Sequence, residues 1–123
     1  MKVIYISGPL STGDLIQNMR NAAEAAQTIL DHGGAPYVPH LQSVTWQMFM
    51  GSRVGGVKDY DVWLPIDFEF VRRSDAVYRM PGYSWGGDRE VEDAQAHGVP
   101  VFYTMSDVLM FLQRSDHANT GRS

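Results

Sequence analysis

Hydrophobic residues fall into two alternating rhythms along this chain, short apolar runs and helical stripes, and the alternation predicts a protein built from βα units. Residues 3–6 (Val-Ile-Tyr-Ile) form the first run and read as a central strand, followed by a loop of small residues, Ser7-Gly8-Pro9-Leu10-Ser11-Thr12-Gly13. Leu15, Met19, Ala22, Ala26, Ile29 and Leu30 then recur at helical spacing until Gly33-Gly34, which predicts a first helix. Residues 35–38 read as a short second strand interrupted by Pro36 and Pro39, delivering His40 to the same sheet edge as Ser7. Residues 42–60 lack a clear period. Val44, Trp46, Met48, Phe49 and Met50 suggest a short helix or lid, and residues 51–56 suggest a mobile turn.

Beyond that stretch Trp63, Leu64, Phe68 and Val71 return to helical spacing, with Pro65 either in the first turn or at a kink. Residues 75–103 read as one βαβ unit: an apolar run, a Pro/Gly/Ser loop, an acidic helix start at Asp88 and Glu90, and a return through Gly98 and Pro100 to a second run. Residues 106–112 predict a last helix capped by Ser106-Asp107, and residues 114–123 a polar, frayed tail. With 123 residues and no repeat, these elements make one domain, spanning residues 1–113.

Composition narrows the chemistry. The absence of cysteine excludes disulfides, thiolate nucleophiles and cysteine-rich zinc sites, and four histidines without ligand spacing give no metal site. A net charge of −4 gives no reason to expect nucleic-acid or membrane binding. No apolar run approaches the roughly 20 residues of a membrane span, and no signal-peptide pattern precedes the first strand. A cytoplasmic protein is expected.

Ligands of open parallel sheets bind where strands end and helices begin, so the loops after residues 6 and 78 are the places to look. Small residues at Ser7, Gly8, Ser11, Thr12, Ser84, Gly86 and Gly87 would let backbone N–H groups approach a phosphate, although βα turns also use small residues. The loops match neither a P-loop nor G-x-G-x-x-G. Glu90, placed in the first turn of its helix, would be held ionised by the helix dipole, and an ionised carboxylate can attack a sugar carbon. Acids in a first turn also serve as caps, and position alone favours that use. By spacing, Asp67 is one of several surface acids, Tyr5 a core aromatic, His40 a loop histidine, and Trp46, Trp63 and Trp85 either packing residues or stacking platforms.

The order of Tyr5-Ile6-Ser7-Gly8-Pro9, Asn18-x-x-Asn21-Ala22, Val38-Pro39-His40-Leu41, Asp67-x-Glu69, Gly82-x-Ser84-x-Gly86-x-Asp88-x-Glu90-Val91 and Gly98-x-Pro100-Val101 resembles the nucleoside 2-deoxyribosyltransferase-like family, including the related 2'-deoxynucleoside 5'-phosphate N-hydrolases. The resemblance implies a three-layer α/β sandwich with a flavodoxin-like or Rossmann-like parallel sheet of four or five strands, assembled as a homodimer or larger. It implies that Glu90 attacks the anomeric carbon with help from Tyr5 and Asp67, without cofactor or metal. It also implies that Ser7, Gly8, Pro9, Leu10, Ser11, His40, Ser84 and Gly86 bind the substrate. Transferases of this kind typically carry an aspartate six residues before the nucleophile, where this chain has Ser84, as in the phosphate-accepting hydrolases. A serine can donate to a phosphate that a carboxylate would repel. The expected function is therefore cleavage of the N-glycosidic bond of a (deoxy)nucleoside 5'-monophosphate. Base exchange by a transferase and a non-catalytic nucleotide-binding module stand as alternatives, with an NAD glycohydrolase as a more distant one. The chain departs from the family's pattern at Tyr83 and in the middle segment.

Overall fold

The computed structural model describes residues 1–51 and 60–122, with side chains described to residue 114. Its elements run β1 (Val3–Ser7), α1 (Leu15–Asp31), β2 (Ala35–Tyr37), α2 (Pro39–Met50), α3 (Tyr60–Arg73), β3 (Ala76–Arg79), α4 (Trp85–Ala96), β4 (Val101–Phe102) and α5 (Met105–Arg122). The four strands pair in parallel in the order β2-β1-β3-β4. This is the expected α/β, Rossmann-like sheet, its first two strands exchanged in space as in flavodoxin-like folds.

Period-two alternation in the central strands divides the core into two. Ile4, Ile6, Ala76 and Tyr78 face one way and pack with Ala22 and Ile29 of α1 and Val108 and Leu112 of α5. Tyr5 and Val77 face the other way, against Val71 of α3 and Ala94 of α4. The sheet thus lies between α1/α5 and α3/α4, a three-layer arrangement. By the same alternation Ser7 and Arg79, paired in register at the ends of β1 and β3, turn toward the α3/α4 side.

Several boundaries differ from the sequence expectation for identifiable reasons. The segment without a clear period contains α2, of whose twelve residues only Pro39, His40 and Ser43 are buried. A helix that exposes most of its surface has no strong stripe to read. His40 is accordingly a first-turn residue of α2, where Pro39 occupies the N-terminal position, and not a loop histidine. The mobile turn expected at residues 51–56 lies, after Gly51, outside the described residues. Pro65 is the sixth residue of α3, beyond the first turn. The last helix is capped by Thr104, whose hydroxyl accepts from the Asp107 N–H at 3.2 Å, and its backbone runs on to Arg122 where a frayed tail was expected.

Candidate active site

The largest correction concerns the start of α4. Its N-cap is Ser84, whose Oγ accepts from the Gly87 N–H at 2.9 Å, so both glycines lie inside the helix. Close packing accounts for them: a Cβ on Gly86 would stand 3.2 Å from the Tyr60 ring, and one on Gly87 would stand 2.9 Å from Ser84 Oγ and 3.0 Å from Arg79 Nε. Glu90 is therefore the sixth residue of the helix, past the first turn, whose acid is Asp88. The helix dipole falls off within the first turn and is not what governs Glu90.

Glu90 instead shares the inner stripe of α4 with Gly87 and Ala94, and it is only 6 % exposed. Ser7 Oγ donates to its Oε1 at 2.6 Å and the Tyr5 hydroxyl to its Oε2 at 2.6 Å. Both donors are fully buried and come from the strand face that alternation aims at α4. Tyr5 stays protonated, because its own burial and then the Glu90 charge push its hydroxyl well above the usual phenol range. Glu90 thus has both oxygens fixed by short charge-assisted bonds.

Asp67, on α3, completes the cluster with a carboxyl hydrogen-bonded to Glu90. Burial raises both acids, but their surroundings differ. For Glu90 the Ser7, Tyr5 and Asp67 hydrogen bonds and the Arg79 charge offset the burial. For Asp67 burial, the Glu90 charge and the shared hydrogen bond all act upward, to about 8. These surroundings favour the charge on Glu90 and the proton on Asp67. Such a pair can attack an electrophilic carbon with one member and protonate a leaving group with the other.

The pair lines a cleft of about 70 Å³ that opens outward to solvent. Gly8, Leu10, Ser11 and Thr12 line one side, His40 and Ser43 of α2 another, and Ser84, Gly86 and Gly87 the start of α4. Tyr60, Trp63 and Leu64 of α3, with Trp85, add an apolar wall in which the Tyr60 and Trp85 rings stand 4.7 Å apart. His40 donates from Nε2 to the Pro9 carbonyl at 2.9 Å, and burial lowers its pKa, keeping the ring neutral.

Of the residues singled out in the sequence, Glu90, Asp67, Gly8, Leu10, Ser11, His40, Ser84 and Gly86 line this cleft. Tyr5 and Ser7 stand behind Glu90, so Ser7 orients the carboxylate where substrate contact was expected. Pro9 faces a second cavity, against Asn18 and Ala25 of α1. Sequence reading passed over Tyr60, Leu64 and Ser43, and above all Arg79. An arginine closing an apolar strand in phase with Val77 was the available signal for Arg79. Among the described residues no group of three or more metal-ligating side chains is assembled, and no helix is long and apolar enough to cross a membrane.

Comparison with solved structures gives the fold a class. At a TM-score of 0.63 and 16 % identity, the chain is similar to a 2-deoxyribosyltransferase from the psychrotolerant bacterium Bacillus psychrosaccharolyticus, over 87 % of this chain and 90 % of that one. It is also similar to a conserved protein from Enterococcus faecalis V583, with a TM-score of 0.55 and 26 % identity, over 82 % of this chain and 61 % of that one. The fold is thus nucleoside deoxyribosyltransferase-like. Residues 2–104 match the family described as Domain of unknown function (DUF7768), and the chain belongs to that family. No curated protein matches it.

Proposed function

We propose that the protein cleaves the N-glycosidic bond of a (deoxy)nucleoside 5'-monophosphate, with Glu90 as nucleophile. The observation that carries this reading is the pairing of buried Glu90 with half-buried Asp67, whose surroundings favour a carboxylate on the first and an acid on the second, in a cleft where the parallel strands end. In the first step Glu90 bonds to the anomeric carbon as the bond to the base nitrogen breaks, and Asp67 gives its proton to the departing base. In the second, Asp67 takes a proton from water, the water oxygen bonds to the anomeric carbon, and the bond to Glu90 breaks.

The start of α4 supports a 5'-phosphate. Ser84 Oγ accepts its capping bond, leaving the hydroxyl proton to donate, and the neighbouring helix N-terminus favours an anion. Tyr60, Trp63 and Trp85 offer aromatic surface to a base. Likeness to a 2-deoxyribosyltransferase supports the alternative in which a second base takes the place of water. A panel of nucleosides and 5'-monophosphates, assayed for released base with and without an acceptor base, separates the readings. Release without acceptor selects the hydrolase, and exchange only with acceptor selects the transferase. Binding with neither selects a nucleotide-sensing module and removes the proposal.

A homodimer belongs to the same reading. Apart from His40, α2 carries no ionisable side chain, and it exposes Trp46, Met48, Phe49 and Met50 beside the cleft wall. Sedimentation analysis of the purified chain tests it, and a monomer at micromolar concentration refutes it.

A further inference from the structure

Arg79 takes no part in the steps above, yet it is the only buried arginine or lysine among the described residues, at 7 % exposure. It closes β3 opposite Ser7 in the parallel register. Its Nη1 donates to the Met80 carbonyl, and its Nη2 donates to the Gly82 carbonyl at 3.0 Å and to Asp88 Oδ1 at 3.2 Å. One guanidinium thus ties the strand end to its loop and the loop to the first turn of α4. Its Nε is buried without a hydrogen-bond partner, beneath Gly87. Gly87 precedes Glu90 by three residues on the same buried stripe, so the positive charge lies under the turn that leads to the carboxylate.

We propose that Arg79 is a positioning residue of the Glu90 site: it fixes the loop and the start of α4, and it sets its buried positive charge against the Glu90 carboxylate. This rests on the reading of Glu90 as nucleophile. Around Glu90 stand Tyr5 from β1, Tyr37 from β2, Asp67 from α3 and Arg79 from β3, with Asp88 on α4 itself pairing the guanidinium. In that company Arg79 is the sole fixed cation, and its charge favours the ionised form of Glu90. The exposed Asp88 neutralises only the outer edge of the guanidinium.

The test is a carbon-13 NMR titration of the Glu90 carboxyl, its resonance assigned by its loss in E90Q. In R79Q the Glu90 midpoint is expected to rise by about one pH unit or more relative to the parent, and in R79K by less than half as much. The acid limb of kcat/KM should move with it, so that R79Q loses about tenfold more activity at low pH than at the optimum. A folded R79Q whose Glu90 midpoint matches the parent overturns the proposal, whatever its effect on stability. Should R79Q fold only when combined with E90Q, the two charges are coupled and the proposal stands. If it folds in neither background, Arg79 is a structural tie alone and the proposal falls. E90Q that retains turnover would remove Glu90 as nucleophile while leaving the titration result intact, so the two failures are distinguishable.

Discussion

Replacing Asp67 with asparagine removes a titrating proton and changes little else, because the amide keeps the carboxyl's shape and can still donate to Glu90. Two separate effects follow. On activity, loss of proton transfer to the leaving base should lower kcat by roughly 10²- to 10⁴-fold. The parent's rate should fall on the alkaline side as Asp67 ionises near pH 8, and that fall should be absent in the variant. Binding of a nucleotide, measured by calorimetry, should survive.

The effect on stability has a sign fixed by where the proton goes. Asp67 titrates at about 8 when folded against 3.8 for a free aspartate, so between those values the folded chain binds a proton that the unfolded chain has released. Stability of the parent therefore decreases as pH rises from about 4 to about 8. At about 1.4 kcal/mol per pH unit the ceiling is about 6 kcal/mol, and relaxation of the site reduces it to an expected 2 kcal/mol or so. Asparagine carries no such penalty. D67N and the parent should melt close together at pH 5, and D67N should melt higher at pH 9 by about 5 °C or more. Thermal melts by circular dichroism across that range decide it. Parallel curves for the two proteins, or an alkaline limb that persists in D67N, would show that the proton does not reside on Asp67.

Three further substitutions probe single contacts. Y5F removes one of the two 2.6 Å donors to Glu90, a bond worth about 1.5–3 kcal/mol to a charged acceptor, so the acid limb of kcat/KM should move up by about 1–2 pH units; an unmoved limb would refute the assignment. S84D keeps a good N-cap for α4 and so should fold, but it places a carboxylate where the phosphate is proposed, and any preference for the monophosphate over the free nucleoside should be erased or reversed. G87A gains about 1 kcal/mol of helix propensity, but its Cβ would meet Ser84 Oγ at 2.9 Å and Arg79 Nε at 3.0 Å. Overpacking of about 1–3 kcal/mol should leave a net loss of stability, and a higher melting temperature would deny that close approach.

The legible parts of the sequence were those where one physical rule dominates. The apolar runs of β1 and β3 and the stripe of α1 announce themselves because each buries a face against one layer. The helix α2 was illegible because it buries little, and its residues carry neither a stripe nor charges to mark an outer face. At α4, Gly86-Gly87 reads as loop by propensity, and only tertiary packing by Tyr60 and Arg79 explains why glycine stands inside a helix. That single misplacement moved Glu90 into the first turn and attributed its charge to the dipole, where the structure supplies two hydroxyls and a guanidinium. Period-two phase held the missing information, since Tyr5 and Ser7 are in phase with each other on β1, as Val77 and Arg79 are on β3. Which helix those phases face is settled by topology, and one strand does not contain it.

On the proposed reading the carboxyl pair does not itself choose between hydrolysis and base exchange. Once Asp67 has given up its proton and Glu90 holds the sugar, the ionised Asp67 can take a proton either from a water or from the ring nitrogen of an incoming base. Partition then depends on what occupies the space the first base leaves. A ring that stays over Glu90 and Asp67 in this cleft leaves little room for water near the anomeric carbon. Tyr60, Trp63 and Trp85 set how long it remains, because stacking on aromatic surface is worth roughly 1–3 kcal/mol per base, about one to two orders of magnitude in residence time. A base that lingers shields the intermediate and favours exchange, and one that leaves quickly admits water. The difference between hydrolase and transferase therefore resides in the aromatic wall of α3 and Trp85, the part of the site that the order of motifs in the sequence describes least.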